Sequence, residues 1–190
     1  MPILRQFRAA PNLLTLARLF IIPFLVLAVL DGHHWLALAL FLLAGVSDGL
    51  DGLLARWLQQ QTVLGLYLDP IADKLLLSTL FLVLTHVGGV PRYVTVFVFS
   101  RDLGILLIAS LLFFTNTLRD FPPSFFGKVN TCVQIFTLMV VLVDPLYAMP
   151  AVHVVRGWAL YATAYCAIAS AAQYAWIVMR RIQSGPVATA

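Results

Sequence analysis

The stretch "SDGLDGLLARWLQQQTVLGLYLDPIADK" runs from Ser47 to Lys74 and places four aspartates, Asp48, Asp51, Asp69 and Asp73, inside an otherwise apolar chain. An ionised Asp at the centre of a membrane helix costs roughly 2.5–3.5 kcal/mol, so four without partners would cost on the order of 10 kcal/mol. Their spacing points to what offsets that cost. Asp48 and Asp51 are three apart, Asp69 and Asp73 four apart, so each pair shares one helix face. The polar "QQQ" between the pairs marks a short turn. The two helices are therefore expected to be antiparallel neighbours, with their acidic faces converging at one end of the molecule.

The rest of the composition sets the class. Of 190 residues, 62% are hydrophobic and 11% charged, against about 45–50% apolar and about 25% charged in a soluble domain. That is the profile of a polytopic membrane protein, and the length predicts a single domain over 1–190. The eight acidic residues are all Asp. The net charge of +4 comes without any basic run, so it reports topology and contact with membrane lipids; nucleic acid is not an expected partner. Cys132 and Cys166 lie in apolar segments without metal-ligand spacing and read as packing residues. The run "RQFRAAPN" ahead of the first apolar segment lacks a small-residue cleavage pattern, so no cleavable signal peptide is expected.

Six apolar segments, at 12–30, 35–57, 63–87, 91–115, 126–149 and 153–179, are divided by "DGHH", "QQQ", "HVGGVP", "NTLRDFPPS" and "YAMPAVH". Each is close to the roughly 20 residues that cross about 30 Å of hydrocarbon. The predicted fold is all-α: a polytopic membrane protein with six transmembrane helices. The opening "MPILRQFRAA" is expected to form a short interfacial helix, with Pro11 starting the first membrane helix. No internal repeat marks an inverted-repeat transporter. Arg5, Arg8, Arg56, Arg119, Lys128, Arg180 and Arg181 gather on one side, so the positive-inside bias puts both termini in the cytosol, with Arg92 and Arg156 as exceptions. His33, His34, His86 and His153 then fall at the outer helix ends, where they read as interfacial polar residues.

Four carboxylates converging at the cytosolic side would repel one another unless cations intervened. Their hard oxygens suit Mg²⁺ or Mn²⁺, and two divalent ions would balance them charge for charge. Paired metals suit phosphoryl chemistry. Gly49, Gly52 and Ala55 leave room for close approach by a nucleotide or a helix backbone, and Arg56 is placed to contact phosphate. A salt-bridge cluster or a proton path in an ion transporter is the competing reading. It would not need Gly52, Ala55, Arg56 and Gly65 at fixed offsets.

The pattern Asp48-x2-Asp51-Gly52-x2-Ala55-Arg56-x8-Gly65-x3-Asp69-x3-Asp73 resembles the signature of the CDP-alcohol phosphotransferase (phosphatidyltransferase) family at all eight fixed positions. The opening "PNLLTLARLFIIPF" is similar to the first helix of phosphatidylglycerophosphate synthases. "SRDLGI" and "GKVNTCVQ" resemble motifs of that branch and of the related cardiolipin synthases. The resemblance implies six membrane helices, a homodimer and a bacterial inner-membrane enzyme with its site facing the cytosol. It implies two metal ions on Asp48, Asp51, Asp69 and Asp73, with Asp73 also the general base. A CDP-diacylglycerol donor would be received by Gly52, Ala55, Arg56 and Gly65, with Asn12 and Thr15 closing the nucleotide pocket. A carboxylate, with its reference pKa near 3.9, is already deprotonated at neutral pH.

Arg101 and Lys128 are candidates for a basic pocket holding an acceptor's phosphate, as in glycerol 3-phosphate; Arg101 paired with Asp102 is the alternative. The synthases that use this acceptor commonly carry "GKxKT" and an Arg-Glu pair, where this chain has "GKVNT" and Arg101-Asp102. Those variants are more similar to eukaryotic-type cardiolipin synthases, whose acceptor is phosphatidylglycerol. The short chain and its first helix favour glycerol 3-phosphate, with phosphatidylglycerol as the alternative.

Overall fold

A computed structural model describes the backbone of residues 10–57, 63–114, 125–147 and 149–183, and the side chains of 15–47, 71–108, 125–147 and 149–180. It contains six helices and, among the described residues, no strand. They are α1 (Ala10–Leu30), α2 (His34–Trp57), α3 (Val63–His86), α4 (Arg92–Phe114), α5 (Phe125–Val143) and α6 (Pro150–Gln183). The expected interfacial segment before α1 lies outside the described residues.

The helices begin and end where the sequence gives a reason. Pro11 occupies the first turn of α1, where its missing N–H is not needed. α1 stops at Gly32, whose φ of 72° is open to a residue without Cβ, and His33 N–H closes on Ala28 O at 2.8 Å. α3 ends the same way: Gly88 has φ 79° and Gly89 N–H closes on Leu84 O at 2.7 Å. α5 ends at Val143, short of the 149 expected from hydropathy. Pro145 disfavours helical geometry at Asp144 and supplies no N–H, so the chain turns there although it stays apolar.

α1 packs most extensively on α2, α5 on α6, α1 on α3, and α4 on α6. The apolar core fills the end of the bundle away from the chain's N-terminus. Leu25, Ala28 and Val29 of α1 meet Ala37 and Phe41 of α2, Leu80, Phe81 and Leu84 of α3, Val94 and Val98 of α4, and Leu138 and Leu142 of α5. Ala28, Ala37 and Ala44 are small enough for α1 and α2 to approach closely. At the far rim Asp144 accepts from Arg156 at 2.8 Å and from His153 at 3.3 Å, while Arg156 Nη2 donates to Gly89 O at 2.7 Å. This clamp joins the α3–α4 turn to the α5–α6 connection.

Among the described residues two helical spans are long and apolar enough to cross a membrane by themselves, Phe125–Val143 and Pro150–Arg180, and Thr15–Leu30 and His34–Ser47 are apolar over shorter described lengths. Only 33% and 28% of the two long spans is buried, which is not the profile of core helices in a soluble protein. Phe20 and Phe24 on α1, Leu106 and Leu107 on α4, and Trp158 and Tyr165 on α6 are exposed. The molecule is a membrane protein with an apolar outer surface. Asp73 and Lys74 interrupt the apolar run of α3, and Arg101 and Asp102 that of α4.

Candidate active site

The half of the bundle nearer the N-terminus is polar inside. Arg18 is the only charged residue of α1 and is completely buried, as is Thr15 three residues before it. Arg18 Nη1 donates to Asp73 Oδ1 on α3. The two partners sit differently: the Arg18 side chain is 0% exposed and that of Asp73 41%. The guanidinium therefore backs the carboxylate from inside the protein and leaves it facing outward.

What Asp73 faces is a groove of 380 Å³ between α2, α3 and α5. Its walls are Phe41, Leu42, Ala44, Gly45 and Val46 of α2, Leu76 and Leu77 of α3, and Thr131, Ile135 and Met139 of α5, with Arg18 and Asp73 as the charged residues. Leu42, Val46, Ile135 and Met139 are also exposed, so the groove opens sideways onto the outer surface. The sequence suggested that α2 and α3 would be antiparallel neighbours with their acidic faces converging; among the described residues they face each other across this groove.

Lys74, next to Asp73, serves a second cluster. Its Nζ donates to both oxygens of Asp102 at 3.0 Å. Arg101 Nη1 donates to Asp102 Oδ1 at 2.5 Å, and Arg101 Nη2 and Nε reach Ser170 Oγ at 2.9 and 3.2 Å. One carboxylate thus holds two cations and joins α3, α4 and α6. Removing one partner of a fully buried pair costs about 3–5 kcal/mol, and Arg101 and Asp102 side chains are only 9% and 16% exposed.

α5 brings a different polar group to the same depth. Asn130 and Gln134 are 0% exposed, one turn apart, and none of their four amide atoms has a hydrogen-bond partner among the described residues. An orphaned buried polar group costs roughly 1–3 kcal/mol. Thr137 Oγ1 lies 2.8 Å from Thr163 Oγ1 across the antiparallel α5–α6 pair. Counting back along α5 and forward along α6 from that contact sets Asn130 level with Ser170. Ser170 is bound to Arg101, Arg101 to Asp102, and Asp102 to the neighbour of Asp73, and Thr131, next to Asn130, lines the groove with Asp73, so Asn130 lies near the depth of Asp73.

Of the residues singled out in the sequence, Asp73 lies on the groove and Thr15 is buried one turn before Arg18. Arg101 is engaged by Asp102 and Ser170, and Lys128 is exposed in the first turn of α5. The backbone puts Asp48, Asp51, Gly52, Ala55 and Arg56 in the last turns of α2, Gly65 and Asp69 in the first turns of α3, and Asn12 at the start of α1. The side chains of these eight lie outside the described residues. Asp73 presents carboxylate oxygen, the donor type that Mg²⁺ and Mn²⁺ take, so its chemistry fits the expected ions. Arg18, Lys74 and Gln134 were not singled out from the sequence. For Arg18 the signal was present, since a lone ionisable residue in an apolar helix marks a functional site by default.

Comparison with known proteins agrees with this architecture. Residues 8–172 match the CDP-alcohol phosphatidyltransferase family, and the chain belongs to that family. Members of the family depend in general on divalent cations. Over 155 residues the chain is 35% identical to a cardiolipin synthase (CMP-forming) of Rattus norvegicus, a match covering 72% of this chain and 51% of that protein. The chain thus spans about half the length of the rat protein and of its human counterpart. It is 37% identical over 129 residues to a probable phosphatidylglycerophosphate synthase of Mycobacterium tuberculosis, covering 65% of this chain and 60% of that one. It is 33% identical over 192 residues to a putative cardiolipin synthase of Mycobacterium bovis, covering 93% and 88%.

Proposed function

We propose that this protein transfers a phosphatidyl group from CDP-diacylglycerol to a hydroxyl of a glycerol-bearing acceptor and releases CMP. The observation that carries the reading is the position of Asp73, a backed carboxylate at the charged end of an apolar groove that opens sideways. Such a site accommodates a lipid: hydrocarbon lies along the groove while the reacting phosphate stays at the polar end. All six helices cross the membrane in this reading, with the charged residues of α3 and α4 paired with opposite charges and the site at the cytosolic face.

Asp48, Asp51, Asp69 and Asp73 would hold two divalent ions, which supply charge stabilisation for phosphoryl transfer when bound. Gly52, Ala55, Arg56, Gly65, Asn12 and Thr15 make up the donor-nucleotide pocket. Asp73 accepts the proton of the acceptor hydroxyl. That oxygen attacks the lipid-side phosphorus, the bond from this phosphorus to the CMP oxygen breaks, and CMP leaves with the electron pair. Arg18 holds Asp73 in orientation throughout.

The acceptor in this reading is phosphatidylglycerol and the product cardiolipin. Arg101 is occupied by Asp102 and Ser170, which weakens the idea of a phosphate pocket built from Arg101 and Lys128. Position 130 is a neutral, buried Asn, and relatives named cardiolipin synthase match the chain at up to 93% coverage. Glycerol 3-phosphate is the second reading, favoured by the mycobacterial phosphatidylglycerophosphate synthase and by the exposure of Lys128. Purified protein given labelled CDP-diacylglycerol, Mg²⁺ or Mn²⁺ and each acceptor in turn will form cardiolipin from phosphatidylglycerol. EDTA will abolish the reaction and added metal will restore it. Phosphatidylglycerophosphate as the sole product would reverse the acceptor assignment, and full activity in chelator would remove the metal assignment.

A further inference from the structure

We propose that Asn130 and Gln134 form the acceptor subsite, where their two amides hydrogen-bond the vicinal hydroxyls of a glycerol head group. The inference rests on the phosphatidyl-transfer reading above and goes beyond it by naming the residues that recognise the acceptor.

Four facts lead there. Both side chains are completely buried, and none of their amide atoms has a partner among the described residues. Inside a membrane protein such groups lack bulk water to satisfy them, so a polar ligand is the natural complement. Asn130 lies near the depth of Asp73, because Thr131 beside it lines the same groove. The next residues along α5, Thr131 and Ile135, line the same groove as Asp73. Gln134 is one turn farther from the N-terminal end, about 6 Å along the axis, a spacing that a three-carbon polyol can bridge.

The chemistry of the amides selects the ligand class. A primary amide offers two N–H donors and a carbonyl acceptor. Phosphate oxygens only accept, so a phosphate between the two amides would leave both amide oxygens without a donor. An ammonium head group only donates and would leave both NH₂ groups without an acceptor. A neutral diol accepts at both hydroxyls, and the hydroxyl that does not react also donates to an amide oxygen, while the reacting one gives its proton to Asp73. Cytosine also has both kinds of group. However, the glycines assigned to the nucleotide lie nearer the N-terminal end, with Gly65 eight residues before Asp73 on α3, about 12 Å along its axis.

The test uses the full-length protein with two acceptors: phosphatidylglycerol, and a phosphatidyl-1,3-propanediol that keeps the primary hydroxyl and lacks the secondary one. A site built to hydrogen-bond a hydroxyl rejects the analogue that lacks it. The unaltered protein should favour phosphatidylglycerol at least roughly tenfold in kcat/KM, the scale of one hydrogen bond. Asn130→Leu and Gln134→Leu should raise the KM for phosphatidylglycerol and bring that ratio toward one, while affinity for CDP-diacylglycerol stays unchanged. Equal use of both acceptors by the unaltered protein overturns the proposal, and that result needs no variant to fold. An unchanged ratio in both variants overturns it too and makes the amides structural. Loss of donor affinity instead of acceptor discrimination assigns the pair to the nucleotide and also overturns it. If the unaltered protein forms no phosphatidyl product from either acceptor or from glycerol 3-phosphate, the transfer reading itself falls, an outcome distinct from all of these; product from glycerol 3-phosphate alone keeps that reading and overturns the present proposal.

Discussion

Arg18 and Asp73 divide between them the two requirements of a charged group in an apolar bundle. The cation is sealed inside and the anion is left within reach of a substrate. Because Asp73 is 41% exposed, water and ligands can compensate it when its partner is lost. Arg18→Met should therefore destabilise the protein by less than the about 3–5 kcal/mol of a fully buried pair. Turnover should still fall at least roughly tenfold, the rate equivalent of about 1.4 kcal/mol in positioning. Thermal unfolding in detergent beside the turnover number checks both parts, and unchanged turnover would reduce Arg18 to an anchor. Asp73→Asn keeps the size and one oxygen while removing the base. It should slow the reaction roughly 10²–10⁴-fold yet still bind CDP-diacylglycerol in the presence of metal. Asp48→Asn should lose donor binding as well, with partial recovery at high metal concentration. Equal loss of donor binding in both would make Asp73 chiefly a metal ligand.

At the scale of the elements, all six helices were legible in the hydropathy pattern. Three of the five punctuating stretches, "DGHH", "HVGGVP" and "YAMPAVH", fall at observed breaks or beside them, and "QQQ" and "NTLRDFPPS" lie outside the described residues. The miss at the end of α5 has a local cause, because an apolar average does not register what Pro145 does to Asp144. The partnership of Arg18 with Asp73, and of Lys74 with Asp102, was hidden for another reason. Residues 55 and 28 positions apart meet only once helix packing is known, and periodicity along one helix says nothing about which helix lies opposite. The aspartate motif was readable because its spacing is confined to two consecutive helices. The turns carry a testable part of this level. Gly88 has φ 79° and nothing within 4 Å of where a Cβ would stand, so Gly88→Ala meets no clash and incurs only the backbone cost. That cost is about 1–2 kcal/mol. It should appear as a lower unfolding temperature with unaltered kcat, since the turn lies at the far end of α3 from Gly65 and Asp69. Loss of activity at full stability would show that this end of the bundle communicates with the site.

Across the whole molecule, the two halves of the bundle do different things. The far half is a packed apolar core closed by the Asp144–Arg156 clamp, and the near half places charges and amides around a groove. The rigid half fixes where α2, α3 and α5 stand, and so fixes the width of the groove. If that groove holds a hydrocarbon chain of the donor lipid, filling it should penalise long chains selectively. Gly45 lies on its α2 wall, and a Cβ there would meet nothing within 4 Å. Gly45→Phe should therefore fold, because in a helix Phe is no worse than Gly in propensity and the ring enters open space. Its effect on the reaction should depend on the donor. With long-chain CDP-diacylglycerol kcat/KM should fall at least roughly tenfold, a loss of about 1.4 kcal/mol that burial of two methylenes in the groove would account for. With a short-chain CDP-diacylglycerol that does not reach Gly45, the loss should be much smaller. Measuring kcat/KM for both donors in both proteins isolates the chain-length term from any general damage to the site. An equal loss for both donors would mean that the groove does not hold the acyl chain and that α2 affects catalysis through the placement of its aspartates instead.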